Sequence, residues 1–460
     1  KKETILLENI SNRISLCGSV MIKFCQWIIP KLEIYYINEN DLLNKDYQKP
    51  IWLKKFENFY ENCQNHSLEF TLNHYKEIFN KELTEDYKII DIIGSGSIGQ
   101  VYLLEEKKRL EYLKSKKYIL KILHPNVKYE INFFRIFYKL LKGIPQLNDK
   151  IKKYIPFDIN HFIDLFEDQS NFIHEANHLL RFQNIYKKNQ NIIIPELIQC
   201  SKSILIMTYE EGISYDDLKI NKYQKYKIVS LFYLFLKNNL HIYNYNHGDL
   251  HKGNWKIRIS EDNNHKLIIY DYGFCWSIQK DKTDIIQLIT ECFESADIDT
   301  SESTVHQISN ILKYLLISKD KTINELKDKI YPIVKNKIEN EELQVAYFSP
   351  ISLFKFTIDL CGELNLVIDP ILIQSIIISI QGQILFEEYS LQGNNNNIIK
   401  SYEIYRSRYL DFIAYCQTYK IFEEYVIYIK KELNKKQVKI ENIFDCIQMS
   451  DSIKNLALKK

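Results

Sequence analysis

Along the first 82 residues the apolar positions recur at helical rather than alternating spacing, so this stretch is read as helices. Its densest part is ISLCGSVMIKFCQWIIPKLEIYY (14–36), where Pro30 predicts a break or kink because proline lacks an amide donor and crowds the preceding turn. At residue 87 the rhythm becomes strand-like. YKIIDII (87–93), QVYLLEE (100–106) and YILKIL (118–123) predict three strands. They are joined by GSGSIG (94–99) and by the charged KKRLEYLKSKK (107–117), connections short enough to make the sheet antiparallel. Helical spacing then runs to about residue 191, most clearly in NFIHEANHLLRFQNIY (171–186). PELIQC (195–200) and SILIMTY (203–209) predict two further strands, and KYQKYKIVSLFYLFLKNNLHIYNY (222–245) a long apolar helix. Short strands at 255–259 and 266–270 flank a turn. Everything after about 282 reads as helix, interrupted by four asparagines at 394–397, and no internal repeat is visible. The order is helices, a five-stranded sheet with one inserted helix, a helix-rich part holding a small strand pair, and more helices. That order predicts a two-lobed α+β architecture.

Composition bounds this picture without redirecting it. The 460 residues suffice for two or three domains, and 45% hydrophobic with 26% charged residues is ordinary for a soluble globular chain. A net charge of +2 gives no global field for nucleic acid, so no nucleic-acid partner is expected. The basic runs Lys107–Arg109 and Lys114–Lys117 read as solvated loops. Nine widely spaced cysteines without a CxxC pair suggest neither a disulfide framework nor a zinc site, but a reducing, intracellular setting. No uncharged apolar run reaches the length of a membrane span. The nearest, PILIQSIIISIQGQILF (370–386), carries Gln374, Gln381 and Gln383 and reads as a buried helix. The chain starts at Lys1, not Met, so a targeting segment can be missing from it.

Glycine is scarce, and its distribution directs attention to chemistry. Six of 12 glycines fall in three loops: Gly94, Gly96 and Gly99; Gly248 and Gly253; and Gly273. Gly94–Val101 reads G-x-G-x-x-G-x-V between two strands, the pattern of a phosphate-covering hairpin; an ordinary glycine hairpin is the alternative. Lys121 is a charged residue in an apolar strand. It either faces water at an edge or holds phosphates, with Glu175 as the helix carboxylate that orients it. In HGDLHKGN (247–254), Asp249 and Asn254 have the spacing of a base and a metal-binding amide, whereas His247 and His251 are the less favoured HxxxH metal pair. Asp271 ends an apolar strand in D-Y-G, where a carboxylate can bind Mg2+ bridging the phosphates. Each motif is weak alone. The four in this order are specific.

On these residues the chain resembles the UbiB/ADCK-like, ABC1-type atypical kinases, within the protein-kinase-like superfamily. KFCQ (23–26) stands where that family has K-x-G-Q, Ser97–Val101 matches S-I-x-Q-V, KILHPNV (121–127) matches the lysine strand with H-P-x-V, and Glu175-Ala176 matches E-A. HGDLHKGN matches H-x-D-x-H-P-G-N except at Lys252, and the resemblance runs from about 10 to about 390. It implies a helical extension over 1–85, an N-lobe over 86–211, a C-lobe over 212–390 and C-terminal helices over 391–460. It also implies ATP with Mg2+ or Mn2+, held by Gly94, Ser95, Gly96, Ser97, Gly99, Val101, Lys121, Lys23 and Gln26, with Asn254 and Asp271 on the metal. Asp249, Lys121, Glu175 and His251 would be catalytic, His251 holding a phosphate. The family habit adds an unidentified acceptor that is lipid or isoprenoid-linked, a link to coenzyme Q, peripheral membrane association and a mitochondrial or other membrane setting.

Departures from the family pattern open alternatives. The loop is glycine-rich rather than alanine-rich, Cys25 replaces the K-x-G-Q glycine, and Gln169 and Asn171 stand at the family's E-x-D acids. Lys23 is then expected to lose its charged partners, although Glu167 and Asp168 lie one or two residues away. An active phosphotransferase or ATPase is the leading expectation. A small-molecule kinase resembling the aminoglycoside and choline kinases, and a nucleotide-binding pseudokinase scaffold, are the alternatives.

Overall fold

A computed structural model describes most of residues 2–380. Outside the described residues lie 37–47, 49, 58–64, 108–114, 148–150, 152–156, 220–227, 260–264, 279–304, 318–322 and 341–349, scattered positions near 230–237, 307–314 and 365–379, and all of 381–460. The asparagine run at 394–397 and the end of the apolar run 370–386 therefore lie outside them. The chain divides into two compact units, 1–218 with 249–275, and 219–248 with 276–460.

The first unit opens with helices α1 (Lys2–Leu16), α2 (Ser19–Tyr36), α3 (Ile51–Glu57), α4 (Leu68–Phe79) and the short α5 (Leu83–Asp86). Pro30 sits inside α2 without ending it. Helix α2 is apolar on its packed side, where Val20, Ile22, Ile28, Ile29 and Ile34 are buried, and that burial holds the helix together across the missing amide. Strands β1 (Tyr87–Ser95), β2 (Gly99–Glu106) and β3 (Lys117–Leu123) follow as a meander. Three helices come next, α6 (Val127–Lys142), α7 (Ile159–Gln169) and α8 (Phe172–Tyr186), and then β4 (Ile192–Ile193), β5 (Leu197–Cys200) and β6 (Ile204–Thr208). The single inserted helix expected from the sequence is thus three helices and a two-residue strand. The sheet is antiparallel in the order β1-β2-β3-β6-β5.

Alternation along β3 divides its side chains between two faces. Leu120 and Ile122 join Tyr102, Leu104, Ile204 and Ile206 in a core closed by Tyr75 of α4 and Leu83 of α5. Lys121 takes the other face, with its ammonium 5.3 Å from the centre of the Phe172 ring of α8. A second sheet holds β7 (Trp255–Ile259) antiparallel to β8 (His265–Ile269), with β4 parallel to β8.

The second unit departs from an all-helix reading in two places. The apolar helix ending near 245 finishes in a π turn over Asn239–Tyr243, terminated by Asn244 in the left-handed region at φ 44°. Beyond 282, the two-residue strands β9 (Leu316–Ile317) and β10 (Val367–Ile368) pair antiparallel around α9 (Ile323–Glu339) and α10 (Pro350–Leu364). Strands this short carry no periodicity to read. Gln374, the first glutamine of the apolar run 370–386, donates to the Gly248 carbonyl at 2.8 Å, so the loop uses its polarity. Among the described residues no helix is long and apolar enough to cross a membrane. The element order is that of an α+β, two-lobed, protein-kinase-like fold.

Candidate nucleotide site

The site lies in the first unit and is centred on Lys121. Its ammonium donates to both Glu175 oxygens, at 2.9 and 2.8 Å, and to Asp271 Oδ1 at 3.1 Å. Burial opposes charge on Lys121, but the Asp271 and Glu175 carboxylates outweigh it and hold the ammonium above the ordinary lysine range. Burial pushes the Glu175 carboxyl above its usual range, with Lys121 acting against that shift. Glu175 reaches this place because Asn171 caps α8 by accepting from the Ile173 amide, and Phe172, Glu175, Ala176, Leu179 and Phe182 then share one buried face. Lys121 is therefore not an edge lysine facing water.

The same helix fixes the D-Y-G turn. The His178 ring donates from Nδ1 to the Tyr272 carbonyl at 3.0 Å, and the Phe182 and Tyr272 rings lie 5.2 Å apart. Asp271 sits in the left-handed region at φ 52°, and its Oδ1 accepts from the Gly273 amide at 3.2 Å. Tyrosine stands where kinases carry phenylalanine, and its additional hydroxyl donates to the Ile269 carbonyl at 3.1 Å.

In the loop over 247–254, Asn254 Nδ2 donates to the Asp249 main-chain carbonyl at 2.7 Å, and the Asn254 main-chain carbonyl accepts from the Tyr270 amide. Asn254 thus ties the loop to the residue that follows β8. His251 Nδ1 accepts from the Gly253 amide at 3.1 Å, so in the neutral ring the proton sits on Nε2, a donor. Lys252 donates to Asp216 at 2.8 Å, which accounts for the cation that replaces the family proline. Among the described residues no group of three His, Cys, Asp or Glu is placed to hold a metal alone.

Helix α2 reaches both loops. Lys23 Nζ lies 3.4 Å from Asp249 Oδ2, and Ser97 Oγ donates to Gln26 Oε1 at 3.1 Å. The expectation that Lys23 lacks a charged partner is therefore corrected. Gln169 is buried and Asn171 caps α8, but the lysine has taken the Asp249 carboxylate instead. Cys25 is buried, and burial pushes its thiol up to about 12, so it acts as a small apolar filler.

Beneath the glycine loop runs a polar chain that the sequence did not reveal. His124 donates from Nε2 to the Gly96 carbonyl at 3.0 Å, and a carbonyl only accepts, so His124 Nδ1 is the acceptor of its ring. His66 must then donate from Nδ1, at 2.8 Å, and accept at Nε2 from Thr71 at 3.0 Å. Thr71 accepts from Tyr102 at 2.7 Å, and Tyr102 accepts from Gln100 at 2.6 Å. Gln100 and Tyr102, two apart on β2, are the signal that was available: two polar groups on a face that is otherwise core. Val101, between them on the other face, pairs with Lys121 in the sheet register.

Residues 61–304, more than half of the chain, match the ABC1 atypical kinase-like domain. The chain belongs to the ABC1 atypical kinase-like family. A probable serine/threonine-protein kinase, abkC, of Dictyostelium discoideum is 29% identical over 276 residues, covering 58% of this chain and 37% of that protein. The chloroplastic ACTIVITY OF BC1 COMPLEX KINASE 3 of Arabidopsis thaliana is 25% identical over 190 residues, covering 39% and 25%. A probable protein kinase UbiB of Blochmanniella pennsylvanica is 25% identical over 202 residues, covering 41% and 35%. The matches span well under half the length of these relatives. Among solved structures, the Rv3197–erythromycin complex of Mycobacterium tuberculosis is a coarse likeness. Its TM-score is 0.42 at 14% identity, covering 69% of this chain and 79% of that one. The triad of Lys121, Glu175 and Asp271 in this ABC1-family chain is thus accompanied by an extension helix that touches both flanking loops.

Proposed function

We propose that this ABC1-family chain binds ATP with a divalent cation and transfers or hydrolyses its terminal phosphoryl group. The observation that carries this reading is the buried Lys121 held between Glu175 and Asp271. Desolvation offsets much of what a buried ammonium gains between two carboxylates, so stability alone does not explain the arrangement, and phosphate oxygens are the ligands it suits. Lys121 would take those oxygens while Glu175 fixes its direction. Asp249 would accept the proton of the attacking hydroxyl or water. His251 Nε2 would donate to phosphate.

The residues fit a magnesium ion. Asp271 and Asn254 supply hard oxygen donors, and Mg2+ is commonly held by one or two carboxylates together with substrate phosphates rather than by an all-protein cage. When bound, the ion would neutralise charge on the phosphates. The acceptor is inferred from family resemblance to be a lipid or an isoprenoid-linked small molecule, with the coenzyme Q link as its most specific form. The family match favours this over an aminoglycoside- or choline-type substrate.

A second reading, a nucleotide-binding scaffold, draws on one observation: the Lys23 ammonium occupies the carboxylate that would act as base. One experiment separates the readings. Mg-ATP should raise the Tm of the chain by mass action, and Asp271→Asn should abolish phosphate release in a chain that still folds, at a lower unliganded Tm because Lys121 loses one of its two carboxylates, while asparagine tolerates φ near 52°. Nucleotide-dependent stabilisation with no turnover in the wild type favours the scaffold. No stabilisation at millimolar Mg-ATP refutes both.

A further inference from the structure

Ser97 and Ile98 form the tip of the hairpin between β1 and β2, flanked by Gly96 and Gly99. The Gly96 amide donates to the Gly99 carbonyl at 3.0 Å. The converse bond, from the Gly99 amide to the Gly96 carbonyl, would close an ordinary turn, and it is absent among the described residues. His124 takes that carbonyl instead, from Nε2 at 3.0 Å, and its main-chain amide donates to the Ile98 carbonyl at 2.9 Å. One residue at the end of β3 thus holds the turn by two of its carbonyls. The Ser97 and Ile98 amides donate to nothing among the described residues. Two adjacent unused amides in a glycine-flanked turn suit an anion.

The hold depends on where His124 carries its proton. Burial keeps this ring below the usual histidine range, so it is neutral and has a single donor. A closed ring of hydrogen bonds beneath it decides which nitrogen that is. The His66 main-chain amide donates to Gln100 Oε1 at 2.9 Å. An amide hydrogen only donates, so Gln100 Nε2 donates to Tyr102, Tyr102 to Thr71, and Thr71 to His66 Nε2, which returns to the residue where the ring began. His66 can then donate only from Nδ1, to His124 Nδ1, and the His124 proton is left on Nε2. The Gly96 carbonyl demands the same direction from the other end. Thr71, Gln100 and Tyr102 are almost wholly buried, where an unsatisfied polar group is costly, so the direction is not free to reverse. We propose that His124 is a positioning residue that holds the glycine turn open for the phosphates of a nucleotide, and that His66 and its ring of hydrogen bonds set the proton His124 uses. The proposal rests on the reading that this site takes Mg-ATP. It adds that residues at the head of α4, outside the glycine turn, control affinity for the phosphates.

The test is calorimetry on the whole chain with Mg-ATP and with adenosine. His124→Leu keeps the bulk and removes the donor. Its Mg-ATP affinity should fall about three- to tenfold, the worth of one hydrogen bond, while adenosine, which has no phosphate, binds as it does to the wild type. His124→Gln keeps a donor for Gly96 and an acceptor for His66, and should recover most of the loss. Thr71→Val opens the ring and should weaken Mg-ATP binding in the same sense. In unliganded His124→Leu, hydrogen exchange at the Gly96 amide should quicken. Wild-type Mg-ATP affinity in His124→Leu, a parallel loss of adenosine affinity, no recovery in His124→Gln, or unchanged exchange at Gly96 overturns the proposal. Unaltered affinity in Thr71→Val overturns the part given to His66. A wild type that binds no Mg-ATP refutes the nucleotide reading itself, and the proposal with it.

Discussion

Two glycines of the same loop should fail in opposite ways when given a methyl group. At Gly99 an added Cβ would lie 2.4 Å from the Ile122 carbonyl oxygen and 3.1 Å from its carbon, both backbone atoms of the paired strand β3. Ordinary contact begins near 3.4 Å, so β2 and β3 must separate by about 1 Å, an overpacking cost of about 1–3 kcal/mol. Gly99→Ala should therefore lower Tm by several degrees for a unit of this size, with or without ligand. At Gly96 the nearest atom to an added Cβ is the Gly99 oxygen at 3.9 Å, and at Gly94 nothing lies within 4 Å. Neither glycine has a positive φ. The fold requires glycine at neither position, and Gly96→Ala should leave the unliganded Tm unchanged or raise it slightly by stiffening the unfolded chain. Under the proposed function, what a methyl there would obstruct is the nucleotide. Loss of one backbone hydrogen bond to a charged phosphate is worth about 1.5–3 kcal/mol, roughly ten- to a hundredfold in Kd. The assay is thermal denaturation of Gly94→Ala, Gly96→Ala and Gly99→Ala across a Mg-ATP titration, with affinities from calorimetry. Wild-type Mg-ATP affinity in Gly96→Ala, or an unshifted Tm in Gly99→Ala, refutes this division of roles.

The central pair and the histidine chain give two further expectations. Glu175→Gln leaves Lys121 with Asp271 alone. It should cost about 3 kcal/mol in urea unfolding, the lower end of the range for breaking a buried pair, and a change under about 0.5 kcal/mol would show that the pair is not a stability element. His66 is held down to about 4, first by burial and then by His124 and His74. Its ordinary value is about 6.5, so the neutral ring is favoured in the fold and its contribution is complete above pH 6.5. As pH falls from there towards 4, the unfolded chain binds a proton that the folded chain refuses. About 1–2 kcal/mol should be lost, discounted because the ring is only partly buried. An acid limb of stability against pH that His66→Gln leaves unaltered would show that His66 does not carry it.

The elements that set the site were legible because they are long and periodic. The β1–β3 meander, α8 and β5–β6 fall within a residue or two of where alternation and helical spacing put them. Lys121 and Glu175 could be paired on paper because charge in an apolar strand demands a partner, and the structure brings them to 2.8 Å. What the pattern hides is long-range. Lys23 meets Asp249 across 226 positions and His66 meets His124 across 58, and neither distance leaves a local signature. The strands at 316–317 and 367–368 are too short for any rhythm. Pro30 does not break α2, because tertiary burial along the helix outweighs the local breaker.

Two cations near the loop turn out to be paired. Lys252, in the proline position, binds Asp216, and Lys23 binds Asp249 where the family's acids are replaced by Gln169 and Asn171. The second pair has a consequence that the first lacks. Lys23 and Gln26 are three apart and so lie on one face of α2, one touching Asp249, the carboxylate proposed as base, the other the hydroxyl of Ser97 in the glycine loop. A ligand that needs both loops cannot be accommodated by moving one of them, because the same helix holds each. It must either recruit the Lys23 ammonium to its own phosphates, in which case Asp249 is released as they bind, or displace α2 as a body. In the first case Lys23→Met weakens nucleotide affinity; in the second it strengthens it. The sign of that change therefore tells whether the extension belongs to the site or guards it.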